Sequence, residues 1–379
     1  MGPRHLSPPS LSFPQTHSTK PGQLQFEGNR ADPATLSSVI SKLRERFALK
    51  RVVLVGDRGI LTSARIGAEL LPQGGFDWIT ALRAPQIQQL LKAGSLQLSL
   101  FDQRDLAEIT DPAYPNERLL ACRNPLLAEE RARKRQELLA ATERALSEIV
   151  KATQRLRQPL SGKARIALRV GSVLGRYKMR KHFQLTIQET SFSFTRDEQS
   201  IAREAALDGL YVIRTSVPAT TLGSAEAVRA YKRLAQVEQA FRSLKSVDLK
   251  VRPIHHRLEA RVRAHVFLCM LAYYVEWHMR KALASILFDD DDRAAAEAAR
   301  RSVVAPAQRS PQAQRKASAK LTADGTPVHS FQSLLSDLAT VAKNRILPNT
   351  KDPVAFDLVT TPTPLQQRAF DLLGVNYRM

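Results

Sequence analysis

Cysteine is scarce in this chain of 379 residues: Cys122 and Cys269 are the only two. Two thiols cannot build a disulfide framework, and they lack the spaced partners of a zinc site. A reducing cytosol is the easy reading. Long apolar runs are missing too. The longest, Val266 to Val275, has ten residues between His265 and Glu276, well short of the roughly 20 that span a bilayer, and reads as a buried helix. The N-terminus is rich in Pro, Ser and Gln and lacks the apolar stretch of a signal peptide. Acidic residues are the third scarcity. Only 36 Asp and Glu face 57 Lys and Arg, a net charge of +21, and the first 26 residues contain no acid at all. That excess favours a polyanionic partner. Basicity alone also fits ribosomal proteins, histone-like proteins and membrane-surface binders. With 43% hydrophobic residues the chain can bury a core, which argues against a mainly disordered basic protein.

Residues 1–24, with five prolines and no periodicity, are expected to be disordered. Leu36, Val39, Ile40, Leu43 and Phe47 recur at helical spacing, and 51-RVVLV-55 then reads as a short buried strand. Asp57 emerges at the end of that strand, before Gly59 and a helix capped at Thr62 or Ser63. A strand at 76–82 and a helix near Pro85 repeat the alternation, which implies an α/β sheet with its polar chemistry at the strand ends. Beyond Gly94, Leu96, Leu98 and Leu100 alternate as in a strand, a long basic helix runs from Leu126 to Arg157, and 164–170 and 182–194 read as β-rich. A strand at 210–215 precedes the next helix. After Phe288 the run Asp289 to Asp292 leads into an Ala-, Arg- and Gln-rich linker or solvated helix, and 331–342 and 364–375 are short amphipathic helices.

The most informative stretch is 231-YKRLAQVEQAFRSLK-245. Tyr231, Glu238 and Lys245 fall at seven-residue intervals, about two helical turns, so all three are expected to project from one face. From Arg229 to Arg263 there are ten Lys or Arg against Glu238, Asp248 and Glu259. A carboxylate in such surroundings suits a metal ion held against a phosphate backbone. The bland alternatives are a solvated helix face with Glu238 paired to Arg242 at i+4, and, for Asp57, an Asx turn after a strand. His255 and His256 are adjacent and lack a spaced third ligand, so DNA contact or capping of the next helix fits them better than zinc.

The 231–245 stretch resembles the Y-(2)-R-(3)-E-(6)-K signature of DDE transposases of the IS4 superfamily, and its wording resembles the IS1634 branch. So do 28-GNRADPATL-36, 51-RVVLVGDRGILTSARI-66, 208-DGLYVIRTS-216 and 255-HHRLEARVRAHVFLCMLAYYVEWHMRKAL-283, in the family's order. One position departs: Leu234 stands where the signature has Arg, with Arg233 turned about 100° away and Arg242 on the face of Glu238.

The resemblance implies an α/β fold with a ribonuclease-H-like catalytic core, incomplete at its N-terminus, interrupted by a mixed, β-containing insertion domain and followed by a helical C-terminal tail. The expected boundaries are a disordered non-family tail at 1–24, core at 25–95, insertion at 96–207, core with the glutamate helix at 208–288, and linker and tail at 289–379. It implies that Asp57 is the second aspartate and Glu238 the glutamate of a catalytic triad, together holding Mg²⁺, with Mn²⁺ as a substitute. Tyr231, Arg233, Arg242, Lys245, Lys250, Arg252, His255 and His256 are the expected DNA contacts. The implied activity is cleavage and strand transfer of double-stranded DNA at transposon ends, by a homodimer in a synaptic complex, without a membrane, in a bacterial cytoplasm at the nucleoid. A first aspartate is expected well upstream of Asp57. Only 56 residues precede it, and Asp32 is the sole earlier aspartate, so an N-terminally truncated, catalytically impaired copy is the expectation. The alternative is a non-catalytic basic DNA-binding remnant that modulates a full-length partner.

Overall fold

The structure, a computed structural model, describes residues 6–11, 23–27, 36–45, 49–247, 249, 251–298, 300, 302–349 and 354–377. The chain forms two compact units. One comprises Asp32–Leu234 with Ser302–Ala305, the other Met1–Ala31, Ala235–Arg301 and Pro306–Met379. Strands β1 (Leu6–Leu11) and β2 (Gln23–Glu27), in the second unit, pair antiparallel. Within the segment expected to be disordered, Leu6–Leu11 and the start of β2 are therefore strand, and the rest lies outside the described residues.

The first unit is built on a five-stranded mixed sheet. Helix α1 (Leu36–Glu45) leads to β3 (Val52–Val55), and a helical segment follows it: α2 (Ser63–Arg65), continued as a π-helical stretch over Ile66–Leu70. Thr62 caps α2, its Oγ1 accepting the Arg65 N–H at 3.4 Å. β4 (Phe76–Ala81) lies parallel to β3, and α3 (Ala84–Ala93) follows. The next strands are β5 (Leu106–Ile109) and β6 (Arg118–Arg123). Both fall in the 96–207 segment expected to form an insertion, yet they complete the main sheet. The alternation at Leu96, Leu98 and Leu100 is not a strand: Leu98–Phe101 is a 3₁₀ turn, with Leu96 buried and Leu98 exposed.

An inserted helical body follows. It consists of α4 (Pro125–Thr153), α5 (Lys163–Tyr177), the hairpin β7 (Phe183–Ile187) and β8 (Phe192–Arg196), and α6 (Glu198–Ala205). Its core gathers Leu139, Leu146, Ile166, Val170, Phe183 and Ile201. Residues 164–170, expected as strand, are helix instead. Ile166, Leu168 and Val170 do alternate, but Ile166, Val170 and Leu174 at i, i+4 and i+8 make the buried stripe, and Leu168 is left 78% exposed.

β9 (Leu210–Thr215) returns the chain to the sheet, whose order is β3-β4-β9-β6-β5 with every pair except β3–β4 antiparallel. The two-residue period sorts β6 and β9 onto two faces. Leu119, Ala121, Leu210 and Val212 pack with Ile87 and Leu90 of α3. Leu120, Cys122 and Ile213 pack with Ala227 and Val228 of α7 (Ser224–Lys232), and with Val304.

In the other unit, α8 (Leu234–Arg242) passes into a π-helical stretch, Ser243–Val247, and α9 (Glu259–Leu283) follows. The apolar run expected to be buried is not. Val266 is covered, but Phe267, Leu268, Leu271, Tyr274 and Val275 are 47–61% exposed. Apolar residues circle this helix, and neighbours cover only one stripe of it. The segment expected as a linker or solvated helix carries α10 (Arg293–Ala298) and α11 (Pro311–Ala319). It is tied down. Asp290 accepts from the Ser310 N–H at 2.7 Å, and the buried Lys316 ammonium donates to Ala284 O, Asp289 O and Asp291 Oδ1. α12 (Phe331–Leu338), the pair β10 (Lys343–Ile346) and β11 (Phe356–Val359), and α13 (Pro364–Leu373) complete the unit, whose core includes Leu283, Ile286, Phe331, Leu334 and Ala369.

Candidate functional site

Asp57 stands two residues past Val55, the end of the β3 ladder. Gly56 extends the pairing, its N–H donating to Ile79 O at 3.1 Å, and Asp57 then opens a tight turn. Its Oδ1 accepts the Gly59 and Ile60 N–H groups, both at 2.8 Å, and its carbonyl accepts the Leu61 N–H. This is the Asx turn of the bland reading. It occupies one carboxylate oxygen and leaves Oδ2 without a hydrogen-bond donor among the described residues, on an exposed residue. Gly59 eases the close approach, because a Cβ there would lie 3.2 Å from Oδ1 and press on the carboxylate.

Two arginines that sequence reasoning missed hold this turn. Arg83, before α3, donates from Nε and Nη2 to the Arg58 carbonyl at 3.3 and 3.2 Å. Arg214 of β9 donates from Nη1 to Ser63 Oγ at 2.6 Å, at the start of α2, and grips Glu117 with its Nε and Nη2. Trp78 Nε1 donates to the same carboxylate at 3.2 Å, and the guanidinium lies 4.9 Å from the centroid of the Tyr114 ring. Burial pushes the Tyr114 phenol above its usual range. The signal for Arg214 was present in 210-LYVIRT-215, where a lone charge in an apolar strand demands a partner.

Glu238 lies on α8 and is exposed. Among the described residues it makes no hydrogen bond or ion pair, so the i+4 pairing with Arg242 of the bland reading is not formed. The single helix face assumed for Tyr231, Glu238 and Lys245 is also modified: α7 ends at Lys232, Arg233 forms a turn, and Lys245 belongs to the π-helical stretch. Tyr231 is half-buried and packs against the core that holds Ile213 and Val304, which is a structural use of its ring. Arg233 and Arg242 are exposed, and the Lys245 ammonium lies 5.9 Å from the Phe241 ring centroid. Lys250 falls outside the described residues.

Arg252, His255 and His256 are exposed. His256 meets His265 edge to face at 5.6 Å, and the residue at the N-cap of α9 is Leu258, without a side-chain cap, so neither histidine caps that helix. Among the described residues no three His, Cys, Asp or Glu side chains come together as a metal site. The donor chemistry of Asp57 and Glu238 does fit Mg²⁺, which takes hard oxygen ligands and keeps several waters.

An α/β protein with a net charge of +21 has the charge balance that favours a polyanionic partner. The chain belongs to the transposase DDE domain family, whose model matches residues 15–275. Membership implies DNA as the substrate. No curated protein and no solved structure matches the chain. Among the described residues no helix is long and apolar enough to cross a membrane.

Proposed function

We propose that this chain is the DNA-cleaving and strand-transferring enzyme of an insertion sequence of the IS4 superfamily, IS1634 branch, with Asp57 and Glu238 as its metal-holding carboxylates. The observation that carries the reading is the family match across 15–275 together with two exposed carboxylates, each with an oxygen that accepts from no donor among the described residues. The sheet unit is the larger part of a ribonuclease-H-like core in this reading. The Asx turn fixes the Asp57 carboxylate, with Arg83 and Arg214 acting as positioning residues behind it. Arg233, Arg242, Lys245, Lys250, Arg252, His255 and His256 supply phosphate contacts that set register without reading sequence. Divalent ions, when bound, supply Lewis-acid assistance to the attacking and leaving oxygens. A homodimer pairs the two ends.

The test is nicking of supercoiled DNA carrying the element's flanking sequence, with Mg²⁺ or Mn²⁺. Cleavage is expected to vanish in Asp57→Asn, in Glu238→Gln and after chelation, while DNA affinity persists. The second reading, a non-catalytic basic DNA-binding protein, is favoured by the lack of a three-ligand cluster among the described residues. It requires binding without nicking in either metal.

A further inference from the structure

We propose that α5, in the inserted helical body, presents a second surface for the phosphate backbone of duplex DNA, separate from the residues around Glu238. Residues 149–188 contain ten Lys or Arg and no Asp or Glu, in a chain whose whole net charge is +21. On α5, Arg165, Arg169 and Arg176 are all exposed. At 100° per residue they fall within about 40° of one another, on a stripe separate from the buried Ile166, Val170 and Leu174. Along the axis they span about 16 Å, longer than the roughly 12 Å width of a major groove.

An ordinary solvated face does not look like this. α4, in the same body, mixes signs and pairs them, with Arg133 near Glu137 and Lys151 on Glu148. α5 carries no acid. Among the described residues Lys163, Arg165, Arg169, Arg176 and Lys178 have no ion-pair partner. The carboxylate at its start, Glu189, accepts from the Lys163 backbone N–H at 3.1 Å and not from a cationic side chain. Arg165 and Arg169 repel at i,i+4, and Lys163 and Arg165 sit in the first turn, where the helix dipole opposes positive charge. A polyanion removes both penalties. Duplex DNA is the polyanion this chain's family supplies, so the inference rests on the proposed function and adds a second contact region to it.

The experiment measures binding of duplex DNA by the full chain across a salt series, for the unmodified protein, for Arg165→Gln/Arg169→Gln/Arg176→Gln, and for a control with the same charge loss on α4, Arg131→Gln/Arg133→Gln/Lys134→Gln. Circular dichroism checks that each is folded. The α5 variant is expected to lose up to about 2.7 from the slope of log K against log salt, since each phosphate contact contributes about 0.9, and the α4 control to lose much less. Equal slopes for the two triple variants, with DNA still bound, overturn the α5 surface and leave the transposase reading standing. No DNA binding by the unmodified chain overturns both. Binding of anionic vesicles through α5 in place of DNA overturns the assignment of its partner.

Discussion

Arg214→Met removes the cation from a buried ion pair and tests whether the Asp57 turn depends on it. The side chains of Arg214 and Glu117 are 6% and 8% exposed. The substitution leaves the Glu117 carboxylate with Trp78 Nε1 as its remaining donor among the described residues, and deprives Ser63 of its donor. Stranding one member of a buried pair costs about 3–5 kcal/mol, and losing the guanidinium over Tyr114 adds about 0.5–2 kcal/mol. With a urea dependence near 2 kcal/mol per molar, a loss of about 4 kcal/mol moves the midpoint down by roughly 2 M. Fluorescence reads this locally, because Trp78 is one of only two tryptophans and Trp277→Phe silences the other. The double variant Arg214→Met/Glu117→Leu is expected to regain most of the loss, since an apolar pair no longer strands a charge. A shift below about 0.5 M for the single variant, or a double variant as unstable as the single, refutes the reasoning.

Other outcomes follow from local geometry. Gly209→Ala places a Cβ 2.4 Å from the Asn124 carbonyl at a φ of +74°, so it is expected to destabilise by more than about 1–2 kcal/mol, read by thermal unfolding. Burial pushes the Cys122 thiol up to about 12 and also raises that of Cys269; alkylation at pH 8 is expected to modify the half-buried Cys269 slowly, and Cys122 only after denaturation. The Arg118 guanidinium bonded to Glu108, with help from Ser224, holds that carboxyl below its ordinary 4.5 despite some desolvation. Its contribution to stability is complete above the unfolded value and lost as pH falls through the folded one. Glu108→Gln should therefore flatten the unfolding free energy between pH 5 and pH 3, and an unchanged acid limb contradicts the pairing. Arg83→Ala should leave urea stability nearly intact while lowering any metal-dependent nicking, whereas equal activity removes Arg83 from the positioning role.

The alternation from α1 to α3 was legible because each element carries its own period: α1, β3, β4 and α3 lie where apolar spacing and the Thr62 cap put them. Asp57 was legible by position, as a polar residue at a strand end. The errors share a cause. Over a few residues, Ile166, Leu168 and Val170 satisfy a two-residue period as well as a helical one, and only Leu174 breaks the tie. β5 and β6 carry mixed patterns whose meaning depends on β9, nearly a hundred residues downstream in sequence. The partners of Arg83 and Arg214 are set by tertiary contacts: the lone charge in 210–215 called for a partner, but no local spacing names Glu117 or Ser63.

Lys232 has a consequence for how the protein is made. Its ammonium donates to the carbonyls of Val303, Val304 and Ala305, and Val304 is 1% exposed in the core that includes Ile213 and Val228. The sheet unit is therefore not encoded by one uninterrupted stretch of the gene: Asp32–Leu234 lacks four residues that leave the ribosome much later. At about 5–20 residues per second the nascent sheet waits roughly 4–14 s, the time to add the 71 residues from Leu234 to Ala305, before that plug can seat. A nonsense codon at any position in that interval yields a sheet whose α7 face lacks Val304, so four residues of the late chain are part of the sheet unit's birth.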